Sequence, residues 1–357
     1  MLTVQRATDF TCDLANALLA PALGQPVTAV HTAPLGEGVG LMSAIARATL
    51  TLADDTQRTV VFKYPAETAN ADIAKGLNYY RNELNFYREL AADSPIEVPA
   101  CLHASIDEAT QDFLLILEDR QDAPAGDQLR DCDEALMGRA FTRAGELHGR
   151  FWSRTQAYPW LTPHNEPAAN RFRRDAIFRP GVAPTLERFG ELFTGNSAET
   201  VAQIAERFVE LFELAMAGPQ TFIHGDYRTD NMLLPEQGGM QDIIAVDWQN
   251  CGSGKGPHDI AYFSAQSCGA ALRGDVELAQ LRRYHDVLVG SGVRGYSFDE
   301  CLHDYRLNLM ITMITPVAVC GTLDPGNERG VALGRTMLTR SLAAMESMDC
   351  ADLLQTL

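Results

Sequence analysis

Apolar and polar residues follow two rhythms along this chain, and the change of rhythm falls near residue 120. Over residues 8–23, Phe10, Leu14, Ala17 and Leu18 recur at helical spacing, which predicts an amphipathic helix closed by Pro21 and Gly24. Residues 27–31, 43–52 and 59–64 are rich in β-branched and apolar side chains, the last two runs joined at Ala53-Asp54-Asp55. They predict a small antiparallel sheet, with a glycine-rich loop over 34–40 after its first strand. Helical spacing returns over 77–90 through Leu77, Tyr80, Leu84, Tyr87 and Leu90. After Pro95 and Pro99, residues 100–105 and 112–117 read as a hairpin, and the continuous run Phe113-Leu114-Leu115-Ile116-Leu117 predicts a central strand. Beyond Pro124 and Gly126 the pattern is mainly helical, at 133–152, 199–217, 276–288, 298–313 and 329–345. The chain thus reads as α+β in two domains, 1–119 and 120–357.

One stretch of the second domain breaks the helical rhythm. The apolar triplet Thr221-Phe222-Ile223 stops at His224-Gly225-Asp226, and a second apolar triplet begins after Asn231. Pro235 to Gly239 is turn chemistry, and the run Ile243 to Val246 ends at Asp247. A hairpin about those glycines brings Asn231 beside Asp247, because antiparallel partners meet in reverse order. Two oxygen ligands with the Asp226 carboxylate five residues before Asn231 suit a hard cation carrying phosphate oxygens. Mg-nucleotide chemistry is the first functional reading. Further on, Asp259 is placed to cap a helix starting near Ile260.

Composition narrows the partners. With 46% hydrophobic and 21% charged residues in 357, the chain is an ordinary globular protein. A formal charge of -18 argues against nucleic acid or an anionic membrane and favours a small-molecule substrate. The eight cysteines are scattered without a CxxC pair, so they read as reduced, mostly buried thiols of a cytoplasmic protein. No basic segment followed by a long apolar one opens the sequence, so no export signal is read. The apolar stretch 307–323 contains Thr312, Thr315, Pro316 and Gly321 and is read as buried helix and turn.

Candidate chemistry in the first domain centres on Lys63, Glu83 and Gly38. Lys63 ends a predicted strand, and Glu83 lies at the edge of the apolar stripe of the next helix, where a carboxylate needs a partner; Lys63 can be that partner. Gly36, Gly38 and Gly40 can lay backbone amides over phosphates, although they lack a Walker lysine and open no helix. Arg171, Arg173 and Arg174 form a basic cluster in an acidic chain, either a solvated helix face or a site for an anionic substrate group. His148 reads as a hydrogen-bonded core histidine. Together these are the parts that phosphoryl transfer to an alcohol needs, a reaction governed by positioning and charge neutralisation.

The motif His224-Gly225-Asp226 with Asn231 resembles the HGDxxxxN motif of the aminoglycoside phosphotransferase and choline-kinase-like group. Tyr227 to Asn231, Asp247-Trp248-Gln249 and Asp259 to Phe263 are most similar to its ecdysteroid-kinase-like and acyl-CoA-dehydrogenase-associated branches. The resemblance spans roughly residues 30 to 310 and implies a bilobal protein-kinase-like fold with ATP in the cleft. It implies Asp226 as the catalytic aspartate, Asn231 and Asp247 as Mg2+ ligands, and Lys63 on the phosphates with Glu83 pairing it. The segment Glu118-Asp119-Arg120 would meet adenine through its backbone. Asp259 would fix the catalytic loop, with His224 as a loop-fixing residue beside Asp226. The expected activity is an ATP-dependent phosphotransferase acting on a small-molecule alcohol. The alternatives are a catalytically silent nucleotide- or ligand-binding module of the same fold, and a metal-dependent hydrolase built on His224, Asp226, Asp247 and His258.

Overall fold

The sheet predicted for the first domain forms from five strands: β1 (Val27–Pro34), β2 (Ser43–Leu52), β3 (Gln57–Pro65), β4 (Cys101–Ile106) and β5 (Phe113–Glu118). The computed structural model describes residues 4–35, 42–66, 69–235, 243–323 and 326–357. All four pairings are antiparallel, in the order β1-β2-β3-β5-β4, so the continuously apolar β5 lies inside the sheet. Register sets the core: Ala46 pairs with Phe62 and Ala48 with Val60, and these alternate positions share one buried face. The helix Cys12–Leu23 covers that face with Leu14, Ala15 and Leu19, and Phe10 stacks on Phe62 with ring centroids 4.5 Å apart. The Thr11 side chain accepts from the Leu14 N–H at its start, and Gly24 closes it at a φ of +75°, which glycine adopts without strain. Pro21, expected to help close the helix, sits within its last turn, where its fixed φ is already helical.

The helix expected over 77–90 is two pieces. Asn78 takes a left-handed φ of +59°, Tyr79–Asn85 is α-helical, and Phe86–Leu90 widens into a π-helical turn. Within that turn Phe86 is fully buried and stacks on Trp248, with centroids 3.9 Å apart and planes 12° from parallel. A distant piece of sequence is thereby drawn in. The chain divides into two compact units, and Ile244–Cys251 belongs to the first, with Met1–Pro124. Its strand Ile244–Ala245 meets Glu97, whose carbonyl accepts from the Ala245 N–H at 2.9 Å.

The second unit, Ala125–Ile243 with Gly252–Leu357, is mainly helical. Every residue of its helix Pro257–Ser267 is buried, the signature of a central helix wrapped by others. The unit's other long helices are Glu134–Phe151, Ser197–Ala215, Asp275–Gly290, Phe298–Thr312 and Glu328–Ser347, of which the first, fourth and fifth pack against Pro257–Ser267. Asp133 caps the first of these, and Ser297 and Glu300 form a reciprocal capping box on the fourth. The strand Thr221–Ile223 pairs with Gly252–Gly254 rather than standing alone. Residues 236–239 of the predicted turn at Pro235 to Gly239, and residues 36–40 of the glycine-rich loop predicted over 34–40, lie outside the described residues. The apolar stretch 307–323 is the end of Phe298–Thr312 followed by Ile314–Thr322, and no helix among the described residues is long and apolar enough to cross a membrane.

Trp248→Ala removes the ring that fills the space against Phe86. It should destabilise the first unit by about 3–5 kcal/mol, the usual cost of truncating a buried aromatic, measured as a lower urea midpoint at unchanged slope.

Candidate active site

In the first unit, one lysine is held by two carboxylates. Lys63 projects from β3, and its Nζ lies 2.8 and 2.7 Å from the two Glu83 oxygens and 2.7 Å from Asp247 Oδ1. Glu83 comes from the helix Tyr79–Asn85, as the sequence pattern suggested, and both it and Lys63 are buried. Asp247 adopts a left-handed φ of 64°, which costs a non-glycine residue on the order of 1 kcal/mol and needs surrounding structure to hold it. Burial by itself would push the Lys63 ammonium down, but the charges of Asp247 and Glu83 outweigh it and hold the lysine above its ordinary range. Burial pushes the Glu83 carboxyl up, Lys63 opposing and Asp247 reinforcing the shift. With both carboxylates ionised, the cluster of one cation and two anions carries a net negative charge. A hard cation with phosphate oxygens would complete it.

In the second unit, the loop after Thr221–Ile223 is shaped by a carboxylate from another element. Asp259 is completely buried in Pro257–Ser267, and its Oδ2 and Oδ1 accept the backbone N–H groups of His224 at 2.7 Å and Gly225 at 2.9 Å. It does not cap its own helix: Gly256 stands at the N-cap and Pro257 at the first turn. The expectation of a cap near Ile260 is corrected, because the carboxylate turns to the strand-end amides instead. Gly225, at a φ of +79°, makes the sharp turn after the strand that a side chain would oppose. His224 Nδ1 then accepts from the Asp226 N–H at 3.3 Å. Asn231 Nδ2 donates to Asp226 Oδ2 at 2.9 Å and to the Asp226 carbonyl at 2.8 Å, which commits its nitrogen and leaves its amide oxygen as the atom suited to a cation. Asp226 Oδ1 is buried and accepts no hydrogen bond among the described residues, with Arg228 Nε 3.3 Å away.

Other sequence candidates are placed differently. Glu118 ends β5 exposed, its carboxylate accepting from the Ala100 N–H at 3.3 Å. Asp119 is paired with Arg47 at 2.7 Å; burial raises its carboxyl, but hydrogen bonds from Arg47, Gln121 and Thr59 bring it below the ordinary range. Arg120 pairs with Glu97 and, at 2.9 Å, with Asp122. The side chains of Asp119 and Arg120 are therefore committed to these partners. Gly38 lies outside the described residues. Arg174 forks onto Asp175 at 2.8 and 3.0 Å, Arg173 donates to Asn170 at 3.0 Å, and Arg171 is exposed. Carboxylates thus dilute the basic cluster. His258 is engaged with Asn308 at 3.0 Å, and among the described residues no group of three or more His, Cys, Asp or Glu converges as a metal cage does.

Sequence reading passed over the supports of Asp259. His148 Nε2 lies 3.1 Å from Asp259 Oδ2 and its Nδ1 2.9 Å from the Tyr284 hydroxyl, all three groups being buried. The space is shaped by Gly256, where an added Cβ would stand 2.4 Å from the Tyr284 oxygen and 2.8 Å from His148 Nδ1. Position 148 continues the apolar stripe through Ala140 and Ala144, which marked burial but not its partner. Tyr262, one turn after His258, was likewise missed; burial and then the charge of Asp226 push its phenol above the ordinary range.

Residues 37–292 match the ecdysteroid kinase-like family. The chain belongs to that family. No curated protein sequence matches it. Among solved structures, a presumed aminoglycoside phosphotransferase from Ralstonia eutropha JMP134 is 13% identical at a TM-score of 0.53, over 93% of this chain and 98% of that one. An aminoglycoside phosphotransferase of type IIIa, solved with GDP and kanamycin, is 13% identical at 0.53, over 92% and 97%. A microcompartment-associated aminopropanol kinase is 15% identical at 0.51, over 96% and 99%. At these identities the likeness concerns the fold, and the fold of this family member is the expected α+β kinase-like one.

The environment of Asp259 makes stability depend on acid. Burial favours its neutral form, but hydrogen bonding to His148 and the nearby histidine charges hold the carboxyl at about 2 against an ordinary 3.8. The folded state then binds fewer protons than the unfolded chain, so the stabilisation is full above 3.8 and is lost as pH falls from 3.8 to about 2. The shift corresponds to about 2 kcal/mol. Asp259→Asn should lower stability at neutral pH and flatten the pH dependence of urea unfolding across that window; an unaltered slope contradicts the assignment.

Proposed function

We propose that the chain is an ATP-dependent phosphotransferase that moves the γ-phosphoryl group to a hydroxyl of a small molecule. The observation that carries this reading is Lys63 held between Glu83 and Asp247, with 2.7 Å contacts to each. With both carboxylates ionised, a buried lysine shared between them leaves negative charge to be balanced, which suits an Mg2+ nucleotide. Membership of the ecdysteroid kinase-like family and the fold shared with aminoglycoside phosphotransferases and an aminopropanol kinase support the same reaction class.

In this reading Lys63 binds the α and β phosphates, and Glu83 orients it. Asp247 and the amide oxygen of Asn231, both hard oxygen donors, would hold Mg2+. Bound Mg2+ would neutralise charge on the phosphate oxygens during transfer. Asp226 receives the hydrogen bond of the acceptor hydroxyl. The hydroxyl oxygen attacks the γ phosphorus as the bond to the bridging oxygen breaks; ADP leaves, and the hydroxyl proton passes to Asp226 and on to solvent. Because the transition state is loose, Asp226 serves chiefly to orient the hydroxyl. Asp259 and His224 keep the loop in shape, and the backbone at Glu118 to Arg120 meets the base. Of the three clustered arginines, Arg171 and Arg173 are the ones offered to an anionic acceptor, since Arg174 is spent on Asp175.

Asp226→Ala should lower turnover by at least ~100-fold while calorimetry still shows nucleotide binding. Asp247→Ala should abolish the Mg2+-dependent part of that binding. Release of the nucleoside diphosphate, ADP or GDP, is the assay, with ATP and GTP compared across sugars, amino-alcohols, sterols and hydroxyacyl-CoAs. Wild-type rates from the Asp226 variant would reject the mechanism. Nucleotide binding with no turnover on any acceptor would favour a silent binding module.

A further inference from the structure

Arg228 is two residues beyond Asp226, on extended backbone at φ -149° and ψ 165°, and its side chain returns to place Nε 3.3 Å from Asp226 Oδ1. The other oxygen, Oδ2, accepts from Asn231 Nδ2 at 2.9 Å. The carboxylate is therefore held from both sides, yet unequally. Asn231 makes a hydrogen bond, whereas Oδ1 is buried with no hydrogen bond among the described residues while a guanidinium lies beside it. The guanidinium compensates charge on this side of the carboxylate, and the Tyr262 phenol is a further neighbour of it.

A guanidinium is planar, so fixing one more of its nitrogens fixes where Nε points. Arg228 Nη1 donates to Gln128 Oε1 at 3.1 Å. Gln128 is fully buried; its Nε2 donates to the Gln266 carbonyl and side-chain oxygen at 3.3 Å, and its backbone N–H to Asp230 Oδ1 at 2.7 Å. Its own carbonyl accepts from Arg340 Nη1 at 2.6 Å, and the same nitrogen donates to the Gln266 carbonyl at 2.7 Å. Arg340 is buried in the helix Glu328–Ser347, beyond the residue at which the family match ends, 292. A continuous polar strut thus runs from the helix Glu328–Ser347 through Gln128 to Arg228 and the Asp226 carboxylate.

We propose that Arg228 is a positioning residue for Asp226, fixing the orientation of its carboxylate, and that Gln128, braced by Arg340, sets Arg228. The assignment rests on the phosphotransferase reading above. Arg228→Gln should lower kcat on the order of 100-fold, with nucleotide affinity by calorimetry unchanged within about twofold and the melting temperature preserved. Arg228→Lys should recover part of the loss. Gln128→Met should lower kcat about tenfold in the parent and not at all in the Arg228→Gln background, because both act on one element. A crystal structure of Arg228→Gln should show the Asp226 carboxylate rotated about χ2. Four results would overturn the proposal: parental kcat in Arg228→Gln, equal costs of Gln128→Met in both backgrounds, a parallel loss of nucleotide affinity, or an unmoved carboxylate. An inactive parent protein would count against the phosphotransferase reading instead, and the crystallographic comparison would still decide the role of Arg228.

Discussion

A charge taken out of water must be met by fixed partners, and in this protein that requirement shapes the backbone. Asp259 has no solvent, so it is stable as an anion only if donors come to it. The two nearest available are the N–H groups of His224 and Gly225, and supplying them bends the chain sharply at the end of the strand Thr221–Ile223. Once that bend exists, Asp226 is carried to the loop's outer side, where its carboxylate keeps some exposure, and Asn231 folds back onto it. His148 and Tyr284 make the arrangement rigid from behind, in space that only Gly256 leaves open. The loop geometry is thus a consequence of one buried carboxylate more than of the loop's own propensities.

The first unit applies the same physics with the opposite sign. A buried ammonium is tolerated because Glu83 and Asp247 surround it, and holding Asp247 there requires a left-handed backbone that Trp248 packing maintains. The stacked Phe86 and Trp248 rings therefore link hydrophobic burial to electrostatics: the apolar contact holds the turn, and the turn presents the carboxylate. In both units a polar group of functional interest is fixed by neighbours that are themselves fully buried, which restricts its rotamers without saturating its hydrogen-bonding capacity.

Much of this was legible in the chain. The two rhythms of hydrophobicity gave the sheet and the helices, and the β5 run announced a strand covered on both faces. Lys63 and Glu83 were found from strand-end and stripe-edge positions, because an ionisable group on a buried face needs a partner. Less legible were interactions whose partners lie far apart in sequence. Asp259 looked like a helix cap, since local spacing cannot reveal that a strand end 35 residues earlier offers better donors. His148 announced burial but not its partner, and the arginine cluster looked basic until Asp175 was seen to neutralise Arg174.

By itself the sequence determined which residues are chemically equipped and the order in which they occur: the Asp226 to Asn231 spacing, the lysine on a strand, the carboxylate at a helix face, the alternation that makes the sheet. Those properties are local, set by covalent spacing and side-chain type. Only the tertiary structure decided which groups compensate one another. It placed Ile244–Cys251 with the first unit and so gave Lys63 a second carboxylate, turned Asp259 from cap to loop anchor, and connected Arg340 through Gln128 to Arg228. The reason is that pairing energies depend on distance and burial, and neither is encoded in any short window of residues.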